Sequence, residues 1–256
     1  MQEAKKKIDK ELLENLTYAK HIHSSFLTNE DVSSCQDSFL VYKAQKLISG
    51  DFYKIERTGE KLVVAIGDST GHGISASYIS VVTLNILART MRFCCGNPAK
   101  MLKLINSELN RITHLNLKKQ LNETADMIVC CIDRKCMKMR YASARMRGFI
   151  LRDEEVILLE KDKCTIGELS VNRFSITNRE VRLRKNDCIY IISDGIIDQF
   201  GGAFDKRMGF KQFLAIIKQM KDLPMTEQKA KIEEALADWQ GGLEQTDDIT
   251  VYGLKI

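Results

Sequence analysis

Several protein classes are excluded by what this sequence lacks. No apolar run approaches the ~20 residues that cross a bilayer, and the lysine-rich start MQEAKKKIDKELLENL has no apolar centre of the kind a secretion signal carries. The expectation is a cytoplasmic protein with no membrane segment in this chain. There is no C-x-x-C pair among the eight cysteines (Cys35, Cys94, Cys95, Cys130, Cys131, Cys136, Cys164 and Cys188), which fall mostly inside apolar stretches. They read as small buried hydrophobes in a reducing compartment, not as a disulfide framework. The formal charge of +5 is spread along the chain with no basic cluster beyond the first ten residues, so nucleic acid is not an expected partner. Internal repeats and low-complexity segments are also lacking.

What is present is the balance of an ordinary globular protein, with 44% hydrophobic and 29% charged residues over 256 positions. A leader comes first: Ile8, Leu12, Leu16, Ala19, Ile22 and Phe26 repeat at three-and-four spacing, which predicts one helix over residues 3–27. The polar stretch NEDVSSCQDS ends it, placing a helical leader at 1–36 and one domain at 37–256. Strand-like alternation begins at SFLVYKA, and KLVVAIGD is apolar on both faces. Helices are expected from Ile74 to about Phe93 and after Asn97-Pro98, the asparagine capping and the proline fitting the first turn. ADMIVCCIDRKCMKMRYASA, RGFILRDEEVILLEK and FSITNREVRLRKNDCIYIISD each read as two short strands about a polar turn. Helices return at about 207–222 and 226–240, the second opening on Thr226 and closing on Gly241-Gly242, and DITVYGLKI is a last strand. The fold class is α+β: two antiparallel sheets forming a β-sandwich flanked by helices.

Four acids stand at strand ends beside glycine or serine: Asp51 in SGDFY, Asp68 in IGDSTGHG, Asp194 in ISDGI, and Asp247 with Asp248 in QTDDIT. Taken singly, each has a plain structural reading as a helix cap or a turn residue. Together they can place carboxylates from distant segments at one end of a sheet, where bare charges must share protons or cations. Oxygen-only ligands suit Mg²⁺ or Mn²⁺, and no H-x-x-H or C-x-x-C grouping offers zinc a site. The glycines near Asp51, Asp68 and Asp194 are expected to let backbone approach an ion or phosphate. Two such ions would activate a water and clamp phosphoryl oxygens, which predicts hydrolysis of a phosphate ester by attack of a metal-bound water.

The order SGDFY, IGDSTGHG, SDGIIDQFGG, TDDITV resembles the PPM family of metal-dependent protein phosphatases (protein phosphatase 2C-like), in its bacterial SpoIIE branch, from about Ser38 to Ile256. The resemblance implies a PPM-type β-sandwich between helical layers (αββα) with an N-terminal linker helix. It implies a serine/threonine protein phosphatase holding two Mn²⁺ or Mg²⁺ ions. By position, Asp68 matches the acid that bridges both metals, Ser69 the residue that offers a backbone carbonyl, and Asp194 and Asp247 ligands of the other metal. Asp51 matches an acid that reaches the cluster directly or through water. Asp247 is preferred to Asp248 because the family's acidic pair uses its first member. Asp68 and Asp51 are thus the expected catalytic pair.

The sequence also departs from the family. Thr70 stands where the eukaryotic branch has a histidine proposed as general acid, and His72, two residues on, is expected to hydrogen-bond within the turn. The arginine that grips phosphate in that branch has no counterpart near the start of the domain. Arg145 and Arg147 fall where relatives carry small residues, Asn or Pro; two solvated strand-edge arginines is the plainer expectation, a substrate groove the sharper one. Cys164 stands where a proline is common, and nothing is drawn from it. The leader resembles the linker that joins such phosphatases to an upstream sensor, and its apolar stripe is expected to pack on the domain, on a second copy as a homodimer, or both. His21 and His23 point to different sides of it, against a metal pair. The resemblance implies as substrate a phosphorylated signalling protein, such as an anti-anti-sigma (STAS) regulator. The competing readings are a catalytically silent binding module of the same fold and a metal-dependent phosphatase of a small metabolite.

Overall fold

The computed structural model describes residues 2–27, 37–58, 60–71, 73–94, 96–114, 124–168 and 174–256. Helix α1 (Gln2–Phe26) leads into strands β1 (Ser38–Lys43), β2 (Asp51–Thr58) and β3 (Lys61–Ser69), and then helices α2 (Ile74–Cys94) and α3 (Pro98–His114). Strands β4 (Ala125–Asp133), β5 (Lys138–Ala144), β6 (Arg147–Arg152), β7 (Glu155–Leu158), β8 (Arg179–Arg182) and β9 (Cys188–Ile192) follow. A single turn, α4 (Gly195–Asp198), and a small ribbon of β10 (Phe200–Gly201) and β11 (Lys206–Arg207) precede helices α5 (Gly209–Gln219) and α6 (Met225–Gln240) and strand β12 (Ile249–Lys255).

The strands form two five-stranded sheets, ordered β2-β3-β4-β5-β8 and β1-β12-β9-β6-β7, with every pair antiparallel. Side chains alternate between faces, so each central strand feeds two cores. Tyr53, Ile55, Val64, Ile66, Ile128 and Cys130 of the first sheet meet Ile189, Ile191, Tyr252 and Leu254 of the second. The intervening residues Phe52, Val63, Ala65, Met127 and Val129 face outward and are covered by Leu84, Leu87 and Met91 of α2 and Leu102, Ile105 and Leu109 of α3. On the far side, Val41, Phe149, Tyr190 and Val251 pack under α5 and α6 through Phe213, Ile217, Ile232 and Leu236. The expected sandwich between helical layers is present. Truncating a fully buried aliphatic such as Ile66 in such a core costs about 2–5 kcal/mol.

Packing explains where the expected elements shift. The last strand pair does not pair with itself: β8 joins β5 in the first sheet, whereas β9 lies between β12 and β6 in the second. Glu180 of β8 lies between Lys138 and Arg140 of β5 at 2.8 and 3.0 Å, which suits a solvent-facing edge. β9 is buried along its whole length and requires a central place. Helix α6 begins at Met225 with Pro224 as its N-cap, so Thr226 is not the cap. The Asn97 carboxamide caps α3 as expected, accepting the Lys100 N–H at 3.1 Å. Of the cysteines described, none is in a disulfide; five are buried, and Cys136 is exposed in the β4–β5 turn. By length and composition α2 is apolar enough to cross a membrane, yet it serves as a core helix against the first sheet.

The leader helix lies along α2, with His23 buried between them and its ring Nε2 2.9 Å from the Ser80 hydroxyl, while His21 is exposed. Phe26 and Leu27 pack on the core, but Leu12 and Ile22 of the apolar stripe remain exposed.

Candidate metal centre at the sandwich edge

Strand register assembles the acids. Asp51, the first residue of β2, stands opposite Asp68 in β3, and Asp68 stands opposite Asp126 in β4. Residues opposed across antiparallel strands share a face, and parity with Tyr53, Ile66 and Ile128 puts all three carboxylates on the side facing the second sheet. That sheet brings Asp194 from just past the end of β9 and Asp247 from just before β12. β9 and β12 are antiparallel neighbours, so these two ends meet at the same edge. The Thr250 hydroxyl donates to Asp51 Oδ2 at 2.6 Å and ties the two sheets together there.

Two adjoining cavities open at this edge. One of about 400 Å³ is lined by Asp68, Ser69, Asp126, Arg145, Asp194 and Asp247, among others. The other, about 230 Å³, shares Asp68, Asp126, Arg145 and Asp194 and adds Arg147, Lys161 and Asp198. Asp51 lies beneath, 1% exposed, with its Oδ1 buried and no hydrogen-bond partner among the described residues.

The electrostatics call for a counter-charge. Burial raises the Asp51 carboxyl well above its ordinary value, and the nearby charges of Asp248 and Asp247 add to this against the opposing Thr250 hydrogen bond. Burial likewise raises Asp68, with Asp51, Asp194 and Asp247 reinforcing it. Asp126 is pushed up to about 6 by burial, although Arg145 and Lys161 pull the other way. Asp194 is raised by burial and by Asp198, and a side-chain hydrogen bond with Asp68 opposes the rise. A proton shared between two carboxylates does the work that a cation does better. Among the described residues no three Asp, Glu, His or Cys side chains close on one point as a finished coordination sphere; the acids converge on a cavity. An all-oxygen donor set, mutual repulsion and an orphaned buried carboxylate oxygen fit Mg²⁺ or Mn²⁺.

Each residue expected at the site has a definite place. Asp68, Ser69, Asp194 and Asp247 line the larger cavity, and Asp51 underlies it. Asp248, the alternative to Asp247, is otherwise engaged: its Oδ1 accepts the Gln45 N–H and its Oδ2 the Gly50 N–H, both at 2.6 Å, and it is 4% exposed. It clamps the loop that delivers Asp51. Thr70 staples the turn to Thr124, donating to the Thr124 carbonyl at 2.5 Å and accepting the Thr124 N–H at 2.8 Å. His72 lies outside the described residues. The expectation that Gly67 and Gly195 free backbone for an ion or phosphate is corrected, because both make room for protein. A Cβ on Gly67 would stand 2.2 Å from the Phe52 ring, and one on Gly195 would stand 2.0 Å from the Asp248 carbonyl.

Sequence reasoning missed Asp126, whose only signal is its register opposite Asp68. It also undervalued Arg145 and Arg147: Arg145 is exposed, as an edge residue is expected to be, and Arg147 is half-buried, yet both line the smaller cavity beside Lys161.

Comparison with known proteins agrees with this fold. Residues 58–256 match the Stage II sporulation protein E (SpoIIE) family. Stage II sporulation protein E of Priestia megaterium is 24% identical over 216 residues, covering 84% of this chain, and the chain spans only 35% of that protein. The SiaA-PP2C domain of Pseudomonas aeruginosa superposes with a TM-score of 0.87 at 24% identity, covering all of both chains. The PP2C phosphatase domain of Bacillus subtilis SpoIIE, solved with a fragment of its regulatory domain, gives 0.66 at 24% identity over 86% of this chain and 61% of that one. The family match over residues 58–256, with the likeness in fold to PP2C domains, leads to one assignment: the chain belongs to the SpoIIE family, a SpoIIE-like branch of the PPM (PP2C-type) phosphatases.

Proposed function

We propose that the chain is a Mn²⁺- or Mg²⁺-dependent serine/threonine protein phosphatase that removes phosphate from a phosphorylated signalling protein. The carrying observation is the convergence of Asp51, Asp68, Asp126, Asp194 and Asp247, from both sheets, on one open edge. In this reading Asp68, Asp194, Asp247 and the Ser69 carbonyl hold two ions, and Asp51 reaches them from beneath. When bound, such a pair supplies a water of lowered pKa and positive charge against the phosphoryl oxygens. The chain's own part is to hold these oxygens on rigid strand ends, because a carboxylate fixed by a sheet needs no reorganisation on binding. Thr70 is committed to Thr124 and does not serve as the acid for the leaving group. The substrate class we favour is an anti-anti-sigma (STAS) type regulator, with the leader helix carrying a signal from an upstream sensor.

The test is turnover of a phosphoserine or phosphothreonine peptide and of p-nitrophenyl phosphate, with Mn²⁺, with chelator, and with Asp68→Ala. Metal-dependent turnover of the peptide that Asp68→Ala abolishes supports the reading. No metal-dependent turnover favours a silent module, and turnover of small phosphates alone favours a metabolite enzyme.

A further inference from the structure

Three cations stand together on the rim of the smaller cavity: Arg145, Arg147 and Lys161. Each is built in. Arg145 occupies the sharp turn between β5 and β6 with φ +59°, a left-handed conformation that a non-glycine residue seldom adopts. Its N–H donates to the Asp162 carbonyl at 3.1 Å, and its own carbonyl accepts Lys161 Nζ at 2.5 Å. Lys161 sits between Glu160 and Asp162, which Arg179 grips together: Nε meets Glu160 Oε2 at 3.1 Å, and the two terminal nitrogens meet the Asp162 oxygens at 2.8 and 2.9 Å. The Arg147 guanidinium lies over the Phe210 ring, 4.5 Å from its centroid.

Lys161 donates to the Arg145 carbonyl, but the two guanidinium groups make no side-chain hydrogen bond among the described residues. The nearest carboxylate to the Arg145 guanidinium is that of Asp126, at 3.6 Å from Nε, outside hydrogen-bond reach. Arg147 contributes no side-chain hydrogen bond among the described residues, its guanidinium being engaged with Phe210. Lys161 is crowded, its ammonium disfavoured by burial and by Arg147 and Arg145, while Asp126 and Asp194 support it. Like charges held close, with the donors of both guanidinium groups idle and facing a floor of carboxylates suited to cations, leave room for one kind of ligand: an anion bridging floor and rim.

We infer that Arg145, backed by Lys161 and Arg147, is the phosphate grip of this enzyme, binding the phosphoryl group from the rim of the cavity. This rests on the phosphatase reading above. The fork of Arg145 also explains why a strained turn carries arginine where glycine would be easier.

The strain provides a clean variant. Arg145→Gly removes the guanidinium and suits φ +59°, so the turn and the fold survive. The experiment uses the full Mn²⁺-loaded chain and inorganic phosphate, followed by calorimetry and by inhibition of p-nitrophenyl phosphate turnover. Arg145→Gly is expected to weaken phosphate binding about tenfold or more and to raise KM similarly, with Mn²⁺ affinity not weakened; Arg145→Lys restores part of the loss. Phosphate affinity unchanged in Arg145→Gly overturns the grip, as does a Mn²⁺-loaded wild type that binds no phosphate. Because binding is read without turnover, a wild type that binds phosphate through Arg145 yet hydrolyses nothing supports the grip while overturning the enzyme reading. Normal hydrolysis by Arg145→Gly, with unchanged KM, overturns the grip alone.

Discussion

Asp51 and Asp68 face each other directly across the β2–β3 pair, a buried and a half-buried carboxylate at adjacent strand ends with no cationic side chain hydrogen-bonded to either among the described residues. In metal-free protein this pair destabilises the fold, because each charge raises the cost of the other. Asp68→Asn is therefore expected to stabilise chelator-treated protein by about 1 kcal/mol or more, while losing most of the rise in Tm that Mn²⁺ gives the wild type. Thermal melts with and without Mn²⁺ check both.

Neighbouring acids separate by role. Asp247→Asn is expected to fold normally and bind Mn²⁺ more weakly, since Asp247 lines the cavity. Asp248→Asn exchanges an acceptor of the Gln45 or Gly50 N–H for a donor and leaves that buried amide unmatched. The loss of stability is about 2–3 kcal/mol, read by denaturant unfolding, and comparable Mn²⁺ weakening in both variants without a stability difference contradicts the division.

Gly195→Ala places a methyl 2.0 Å from the Asp248 carbonyl, so backbone must move. A loss of about 2 kcal/mol or more, with weaker Mn²⁺ binding as Asp194 shifts, is the expected outcome of melts and calorimetry.

His23 links the leader to pH. Burial holds its imidazole below the ordinary value of 6.5, with Asp248 pulling the other way. The Ser80 hydroxyl donates to the Ser77 carbonyl, so the neutral ring donates Nε2–H to Ser80. A folded-state value below the unfolded one means the unfolded chain binds the extra proton; the contribution is complete above 6.5 and is lost as pH falls toward the folded value. Hydrogen exchange at about pH 7.5 and about pH 5.5 is expected to show α1 and the facing turns of α2 loosening at the lower pH, and His23→Gln to remove that dependence.

Much of this site is legible in the sequence because strand-end acids sit in turn chemistry. Asp51, Asp68 and Asp194 are each flanked by glycine, and Asp247 opens an apolar run, so local pattern finds them. Asp126 has no such flank; it matters because nine residues of register align β4 with β3, and pairing of that range is not written in either strand alone. The same gap hides the meeting of Arg145 with Lys161, which an isolated parallel bridge between Ala144 and Asp162 brings about. β8 and β9 read as neighbours because a polar turn joins them. Burial separates them, since an edge tolerates REVR and only a sheet centre accommodates CIYII. The glycine of SDG is visible, but its reason, the Asp248 backbone pressed against it, is tertiary.

The central claim is that carboxylates from two sheets share divalent cations at one edge. Anomalous diffraction from a Mn²⁺-soaked crystal tests it most directly. The account predicts manganese peaks within coordination distance, about 2.0–2.3 Å, of Asp68, Asp194 and Asp247 oxygens. Manganese bound elsewhere, or none at this edge at saturating Mn²⁺, would contradict it.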